Sequence, residues 1–129
     1  MAKILLAEDE KQIADMITFK LTNSGHQVVR AQDGEQAVLL AAHESPDLIL
    51  LDAMMPGLNG FEVLRRLKGD DTLRAVPVIM VTAKGHERDV LSGLRGGAVD
   101  YIVKPFSLKE LAARVDLALL RKEPPATAS

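Results

Sequence analysis

Five short apolar segments alternate along the chain with segments of helical periodicity, and this alternation constrains the fold more than any other feature. The apolar segments are residues 3–7, 27–31, 48–51, 76–81 and 101–103. Most are rich in Val, Ile or Leu, as is typical of strands that are buried on both faces of a sheet. Strands that alternate with helices in this way predict a parallel sheet with right-handed crossovers and helices on both faces.

The segments between the predicted strands carry apolar residues at helical spacing. Four stripes are clear: Ile13, Met16, Ile17 and Leu21; Ala37, Leu40 and Ala41; Phe61, Leu64 and Leu67; and Leu108, Leu111, Val115 and Leu119. A weaker one lies within residues 87–95. We therefore predict an α/β fold: a single doubly wound, five-stranded parallel sheet with five helices.

A length of 129 residues favours one domain. We place this domain at residues 1–122. The last seven residues, 123–129, read Glu-Pro-Pro-Ala-Thr-Ala-Ser and contain no large apolar side chain. We predict that this segment is a disordered tail or a truncated linker.

Composition excludes several classes of function. Cysteine is absent, which rules out disulfides and thiolate chemistry. A net charge of −2 and an aromatic content of 3% argue against direct nucleic acid binding. No apolar run approaches the roughly 18 residues of a membrane span, and the apolar start of the chain is too short for a signal peptide. We predict a cytoplasmic protein that does not contact a membrane.

Acidic residues follow two of the predicted strands. Glu8 and Asp9 come after the first strand and Asp52 after the third, and ligands of doubly wound sheets bind at this edge. Three carboxylates would raise one another's pKa unless a cation lies among them. A hard divalent cation such as Mg²⁺ is one candidate, and Lys104 after the fifth strand is another. Three carboxylates, one Mg²⁺ and one lysine carry a total charge of zero. A cleft with that balance could accept a phosphoryl group, whose charge the metal and the lysine would share.

Taken singly, each of these polar residues has a simpler interpretation. Acidic residues suit a helix N-terminus or a cap, a β-branched residue suits a strand, a lysine suits solvent and an aromatic residue suits a core. The residues concerned are Glu8, Asp9, Asp52, Thr82, Tyr101 and Lys104. Their joint placement at the carboxyl ends of successive predicted strands favours a functional site.

Four motifs occur in order along the chain. They are Ile-Leu-Leu-Ala-Glu-Asp-Glu at 4–10, Leu-Ile-Leu-Leu-Asp-Ala-Met-Met-Pro-Gly-Leu-Asn-Gly-Phe-Glu at 48–62, Pro-Val-Ile-Met-Val-Thr-Ala-Lys at 77–84 and Asp-Tyr-Ile-Val-Lys-Pro-Phe at 100–106. On these motifs the chain resembles the receiver domain of two-component response regulators. The resemblance implies a flavodoxin-like topology and a phosphoacceptor switch, which is a regulator and not an enzyme with an outside substrate.

The resemblance also implies a partner and a metal. Asp52 would be the phosphoacceptor, which attacks a phosphohistidine on a sensor histidine kinase or a histidine phosphotransfer protein. Asp9, Asp52 and the backbone carbonyl of Met54 would hold Mg²⁺, and Glu8 would hold it through a water molecule.

Further roles that the resemblance implies concern the phosphoryl group and the switch. Lys104 would pair with phosphoryl oxygens, and the Thr82 hydroxyl and the Ala83 N–H would take the remaining ones. The Lys104–Pro105 bond resembles the cis peptide of the family. On phosphorylation Thr82 would move toward the phosphoryl group, Tyr101 would rotate inward behind it, and the face formed by helix four, strand five and helix five would change.

The chain departs from the family pattern close to the phosphoacceptor. The first acid is Glu8 where many relatives have Asp, and Ala53 stands where a bulkier residue is frequent. Met54 and Lys84 occupy positions that tune dephosphorylation. Because methionine is a poor hydrogen-bonding partner for an attacking water, we expect slow self-dephosphorylation.

The face of helix four, strand five and helix five forms a symmetric homodimer in one branch of the family. Four residues fit that pattern of ion pairs: Asp100, Glu110, Arg114 and Arg121. Val90, Gly96 and Val99 stand where that branch usually has charged residues. We therefore expect a different or looser dimer, with Val90 and Val99 available for an apolar patch.

Other classes fit less well. A flavodoxin-like cofactor binder needs a hydroxyl- and glycine-rich loop where this chain has Glu8-Asp9-Glu10. An aspartyl-phosphate phosphatase needs Asp-x-Asp there, and dinucleotide binding needs Gly-x-Gly-x-x-Gly. The remaining alternative is a receiver-like interaction module that takes no phosphate, and the presence of Asp52, Thr82 and Lys104 argues against it.

Overall fold

A computed structural model describes residues 1–121 of the chain, and the predicted tail at 123–129 lies outside the described residues. Five strands and five helices alternate from the first strand onwards. Their bounds are β1 (Lys3–Ala7), α1 (Lys11–Asn23), β2 (Gln27–Ala31), α2 (Gly34–Glu44), β3 (Leu48–Leu51), α3 (Gly60–Lys68), β4 (Val78–Thr82), α4 (Glu87–Arg95), β5 (Asp100–Val103) and α5 (Leu108–Leu120).

All five strands are parallel and lie in the order β2-β1-β3-β4-β5. Successive strand residues point to opposite faces, so each strand supplies two cores. Leu5 and Ala7 pack in the core that α2 and α3 cover, whereas Ile4 and Leu6 pack in the core that α1 and α5 cover. The predicted fold class, a doubly wound α/β sheet of flavodoxin-like topology, is confirmed.

Three helices begin at a side-chain cap. The side chains of Asp33, Asn59 and Ser107 each accept a hydrogen bond from the backbone N–H three residues further on, at 2.8, 3.0 and 2.9 Å. A cap of this kind stabilises a helix by about 1 kcal/mol. The caps fix where α2, α3 and α5 start, and these starts lie at the edge of the sheet where the strands end.

Three details differ from the sequence-based expectation. The fourth strand is Val78–Thr82 rather than 76–81. The fifth strand begins at Asp100 rather than at residue 101. Met16, assigned above to the apolar stripe of α1, is 51% exposed. The buried residues of α1 are Ala14, Ile17 and Leu21. With 3.6 residues per turn, a residue beside Ile17 in sequence points about 100° away from it, and this carries Met16 off the core.

The helices are short. Each of the five has nine to thirteen residues, whereas a helix needs about 20 to cross a bilayer. Within residues 1–121, no helix combines the length and the apolar character that a membrane span requires.

Candidate functional site

Asp52 lies immediately after β3 and is only 4% exposed. Its backbone N–H donates to the Ala7 carbonyl at 3.0 Å, which continues the pairing of β1 with β3. Its carboxylate accepts two hydrogen bonds, one to each oxygen. The Met54 N–H donates to Oδ1 at 2.9 Å and Lys104 Nζ donates to Oδ2 at 2.8 Å. The carboxylate is thus held in a defined orientation despite its burial.

The loop that follows Asp52 is held close to it by Gly60. The Gly60 N–H donates to the Ala53 carbonyl at 2.9 Å. A Cβ at position 60 would lie 2.1 Å from the Asp52 carbonyl oxygen, so only glycine allows α3 to start this close to the strand end. Gly57 lies earlier in the loop with φ +74°, in the left-handed region that favours glycine.

Glu8 is buried at the end of β1, with 1% of its surface exposed. Its Oε2 accepts the Glu10 N–H at 3.1 Å, and its Oε1 lies 2.9 Å from Lys104 Nζ. Burial raises the pKa of Glu8, and the charge of Asp52 adds to this effect. Hydrogen bonds from Lys104 and from the Glu10 N–H act in the opposite direction, but the pKa remains raised. A cation in addition to Lys104 would stabilise the charged form of the Glu8 carboxylate.

Lys104 joins the acidic residues across the sheet edge. Its amine contacts Glu8 and Asp52 as described, and Glu10 Oε1 at 3.4 Å. Burial opposes the charged form of Lys104, yet hydrogen bonds and charge interactions with Asp52 and Glu8 raise its pKa above the usual range. Lys104 is therefore a permanent cation in the site. The Lys104–Pro105 peptide bond is cis.

The acidic residues fit a hard divalent cation. Glu8, Asp9 and Asp52 each place one carboxylate oxygen within 4.8 Å of the others, and carboxylate oxygens are ligands that Mg²⁺ and Ca²⁺ accept. Beside them is an open cavity of about 280 Å³. The cavity is lined by Asp9, Glu10, Asp52, Met54, Ala83 and Lys104. Five of the predicted site residues therefore share one cavity.

Thr82 and Tyr101 both bind the backbone of Lys84. The Thr82 hydroxyl is fully buried and accepts the Lys84 N–H at 3.3 Å. The Tyr101 hydroxyl donates to the Lys84 carbonyl at 2.7 Å, and its ring is directed inward, 8% exposed. Burial, together with the charges of Asp89 and Asp52, raises the pKa of Tyr101 to about 12. The two predicted switch residues are thus joined through one residue's main chain.

Met54 and Lys84 flank a neighbouring cavity of about 470 Å³ on the solvent side of the site. Met54 is 53% exposed, and Lys84 is also exposed. Met54 lines both this cavity and the cavity beside Asp52, whereas Lys84 does not line the cavity beside Asp52.

The face formed by α4, β5 and α5 carries exposed apolar side chains and an internal ion-pair cluster. Arg114 contacts Asp100 at 2.7 Å and Glu110 at 2.9 Å, all within the same chain. Val90 packs partly against the core, whereas Val99 is 39% exposed. The other exposed apolar residues of α4 and β5 are Leu91, Leu94 and Val103.

Sequence reasoning missed Arg30. This side chain leaves the end of β2 and donates to the backbone carbonyls of Glu8 and Asp9 at 3.1 and 3.2 Å. The one signal available in the sequence was a charged residue in the otherwise apolar segment Val-Val-Arg-Ala. Its target could not be read from sequence, because both acceptors belong to the main chain.

A parallel sheet in the order β2-β1-β3-β4-β5, with acids and a lysine at its carboxyl edge, defines a receiver domain. The family model for the response regulator receiver domain matches residues 4–116, and the chain belongs to this family. It is a regulatory domain rather than a classical enzyme.

Similar proteins include transcriptional regulators of bacteria. The phosphate regulon transcriptional regulatory protein PhoB of Escherichia coli (strain K12) is 46% identical over 122 residues, which are 95% of this chain and 53% of that protein. The alkaline phosphatase synthesis transcriptional regulatory protein PhoP of Bacillus subtilis (strain 168) is 45% identical over 94% of this chain and 50% of its own length. The chain thus spans about half the length of these curated relatives.

Solved structures agree with the sequence relatives. The receiver domain of the Francisella response regulator 1452 is 35% identical to this chain and superposes on it with a TM-score of 0.89. The superposition covers 95% of this chain and 100% of that one. The fold of the described residues is therefore that of a known receiver domain.

Proposed function

We propose that Asp52 accepts a phosphoryl group from a phosphohistidine on a sensor histidine kinase or a histidine phosphotransfer protein. The observation that carries this proposal is a buried carboxylate that borders a cavity and contacts Lys104 at 2.8 Å. A carboxylate oxygen of Asp52 forms the new bond to phosphorus as the P–N bond to the histidine breaks. The freed imidazole keeps the electron pair, and the product is an acyl phosphate on Asp52.

Positioning and charge neutralisation make this transfer possible. Lys104 is already charged and next to Asp52, so its amine pairs with phosphoryl oxygens without a proton transfer. The Ala83 N–H and the Thr82 hydroxyl bind the remaining oxygens. Where the Thr82 side chain turns to do so, its oxygen leaves the hydrogen bond that it now accepts from the Lys84 N–H.

A divalent cation, Mg²⁺, completes the charge balance. We infer that Asp9, Asp52 and the backbone carbonyl of Met54 hold it, with Glu8 one layer further out through a water molecule. The engagement of Glu8 with Lys104 and with the Glu10 N–H supports that outer position. When bound, the cation neutralises carboxylate and phosphoryl charge.

The switch follows from the shared main chain at Lys84. As Thr82 turns to the phosphoryl group, the backbone N–H of Lys84 loses its acceptor, and the loop that precedes α4 is free to shift. Tyr101 stays bound to the carbonyl of the same residue, so the aromatic ring and α4 follow the loop. The output is a changed α4–β5–α5 face.

Two surfaces suit partners. A cavity of about 410 Å³ adjoins Lys104, and its walls include the apolar side chains of Ile13, Met16 and Phe106; we assign it to the phosphodonor protein because it lies beside the phosphoacceptor. The α4–β5–α5 face suits a homodimer. Arg114 is already paired within its own chain, which favours the looser dimer predicted above. A cytoplasmic location remains a prediction.

Intact-mass measurement tests the transfer chemistry. After incubation with acetyl phosphate, we expect one phosphoryl addition that requires Mg²⁺ and disappears in Asp52→Asn. Asp15→Asn, an exposed acid of α1, is the matched control and should be phosphorylated normally. If Asp52→Asn is still modified, or if the wild type is never modified, the assignment of Asp52 is wrong and a phosphate-independent interaction module becomes the better description.

A second variant tests the predicted slow loss of phosphate. Met54→Asn places a hydrogen-bonding side chain beside Asp52, where it can hold the attacking water, and should shorten the lifetime of the phosphorylated form. The measurement is the decay of the phosphorylated mass after the donor is removed. Leu39→Asn, at an exposed position of α2, controls for a general effect of asparagine. An unchanged decay in Met54→Asn would contradict the prediction.

A further inference from the structure

We propose that Arg30 is a positioning residue, which holds the β1–α1 loop in the arrangement that Glu8 and Asp9 need to bind a divalent cation. This inference rests on the proposed function of the site, because it concerns the same cation. Arg30 lies outside the four sequence motifs and contributes no ligand atom of its own. It acts through the main chain of the residues that do.

Three hydrogen bonds join the end of β2 to this loop. Arg30 Nε donates to the Glu8 carbonyl at 3.1 Å, and the terminal Nη2 donates to the Asp9 carbonyl at 3.2 Å. The Glu8 N–H donates to the Ala31 carbonyl at 3.1 Å. Arg30 itself is fixed in the sheet, where it pairs with Leu6 of β1. The loop is thus anchored to a rigid strand on both sides of Glu8.

At its other end the loop is held by Glu10, whose N–H donates to Glu8 Oε2 and whose carboxylate contacts Lys104. The contact of Arg30 with the Asp9 carbonyl therefore fixes the main chain between Glu8 and Glu10. Asp9 and Glu10 are exposed. The N-cap of α1 is Glu10, whose side chain makes no capping hydrogen bond, whereas α2, α3 and α5 start at capped residues. A guanidinium is a planar fork with several donors, so it can reach two successive carbonyls at once. A lysine amine is a point charge on a flexible stem and cannot hold both with the same geometry.

Two effects of Arg30 on cation binding have opposite signs. Positioning of the carboxylates strengthens binding, whereas the positive charge of the guanidinium repels a cation. Arg30→Lys keeps the charge and removes the fork, and Arg30→Met removes both. The pair of variants therefore separates the two effects.

Isothermal titration calorimetry with Mg²⁺ alone measures the dissociation constant directly. We expect Arg30→Lys to bind Mg²⁺ about tenfold more weakly, at the lower end of the effect of residues that support metal ligands, and Arg30→Met to lose less affinity, because it also removes the charge that repels the cation. Hydrogen exchange of the backbone amides at positions 9–11 should become faster in both. Arg66→Lys and Arg66→Met, in the exposed last turn of α3, are the matched controls and should leave both measurements unchanged.

Phosphorylation by acetyl phosphate supplies a second readout. The Mg²⁺ concentration for half-maximal rate should rise about tenfold in Arg30→Lys, whereas the rate at saturating Mg²⁺ should match that of the wild type. A general loss of structure would lower the saturating rate as well, and circular dichroism checks the fold of each variant.

The outcomes are distinct. Wild-type affinity in Arg30→Lys overturns the positioning role, and so does tighter binding in Arg30→Met, which would mean that charge repulsion dominates. If Arg30→Met fails to fold, Arg30→Lys decides alone. Failure of the wild type to bind Mg²⁺ would overturn the proposed metal site together with this inference.

Discussion

The two helices that flank β5 are held in very different ways. On one side, α5 buries Leu111, Val115 and Ala118 and starts at the Ser107 cap. On the other side, α4 buries only Gly93, and its N-cap residue makes no capping hydrogen bond with its side chain. Regions with few buried apolar contacts open at lower free energy than the core. The difference indicates that α5 is held more firmly in the fold than α4.

Truncation of matched leucines tests this contrast most directly. Leu111 is fully buried in α5 and Leu94 is 43% exposed in α4. Leu111→Ala should lower the free energy of unfolding by about 3 kcal/mol, whereas Leu94→Ala should change it by about 0.5 kcal/mol. Urea denaturation followed by circular dichroism measures both. Equal losses would mean that α4 is anchored as firmly as α5.

A smaller effect is expected where α4 meets Tyr101. A Cβ at position 93 would lie 2.8 Å from the Tyr101 ring, so Gly93→Ala forces the ring or the helix to shift. Crowding of this kind costs about 1–3 kcal/mol, and the better helix propensity of alanine returns up to about 1 kcal/mol. We expect a net loss of about 1 kcal/mol in urea denaturation. Tyr101 is the chain's single tyrosine and tryptophan is absent, so tyrosine fluorescence reports its environment directly.

Gly69→Ala is the control for that experiment. Gly69 ends α3 with ordinary αR angles, and a Cβ there would come no closer than 3.4 Å to the Arg65 carbonyl. This variant should keep the wild-type fluorescence and stability. Unchanged fluorescence in Gly93→Ala as well would mean that α4 yields without disturbing the ring.

A third effect appears only at alkaline pH and concerns the ionisation of Tyr101. Its pKa is about 12 in the folded protein against an ordinary value of 10.0. Between these pH values the unfolded state is ionised and the folded state is not, so the free energy of unfolding should fall as pH rises through this window. Titration of tyrosinate absorbance measures the pKa, and Tyr101→Phe should reduce the decline to the part that Lys104 contributes, because the pKa of Lys104 is also raised. A pKa near 10 would mean that the ring is exposed.

Periodicity was sufficient to predict the fold class, whereas the flavodoxin-like topology was predicted only from the resemblance to receiver domains. Strands buried on both faces and helices with one apolar stripe leave few alternatives to a doubly wound sheet, and the strand ends place Asp52 and Lys104 at one edge. Met16 was misassigned because an apolar residue next to the true stripe is indistinguishable from a core residue by type alone. Its exposure depends on a phase difference that short patterns do not resolve.

The site was predictable in its charged side chains and much less so in its main-chain contacts. The acidic residues and the lysine could be identified from their residue types and from their positions at the ends of predicted strands. The contacts of Arg30 with two carbonyls, and the inward position of Tyr101, depend on how loops pass one another in space. Gly93 illustrates the limit: its sequence context indicates a helix, but only the packing reveals that its missing side chain makes room for an aromatic ring.

Because Thr82 and Tyr101 reach Lys84 only through its N–H and carbonyl, the link between them is indifferent to the side chain at position 84. Every residue type except proline carries the same donor and acceptor. A substitution at position 84 other than proline would therefore change the side chain in the neighbouring cavity and leave the link between Thr82 and Tyr101 in place.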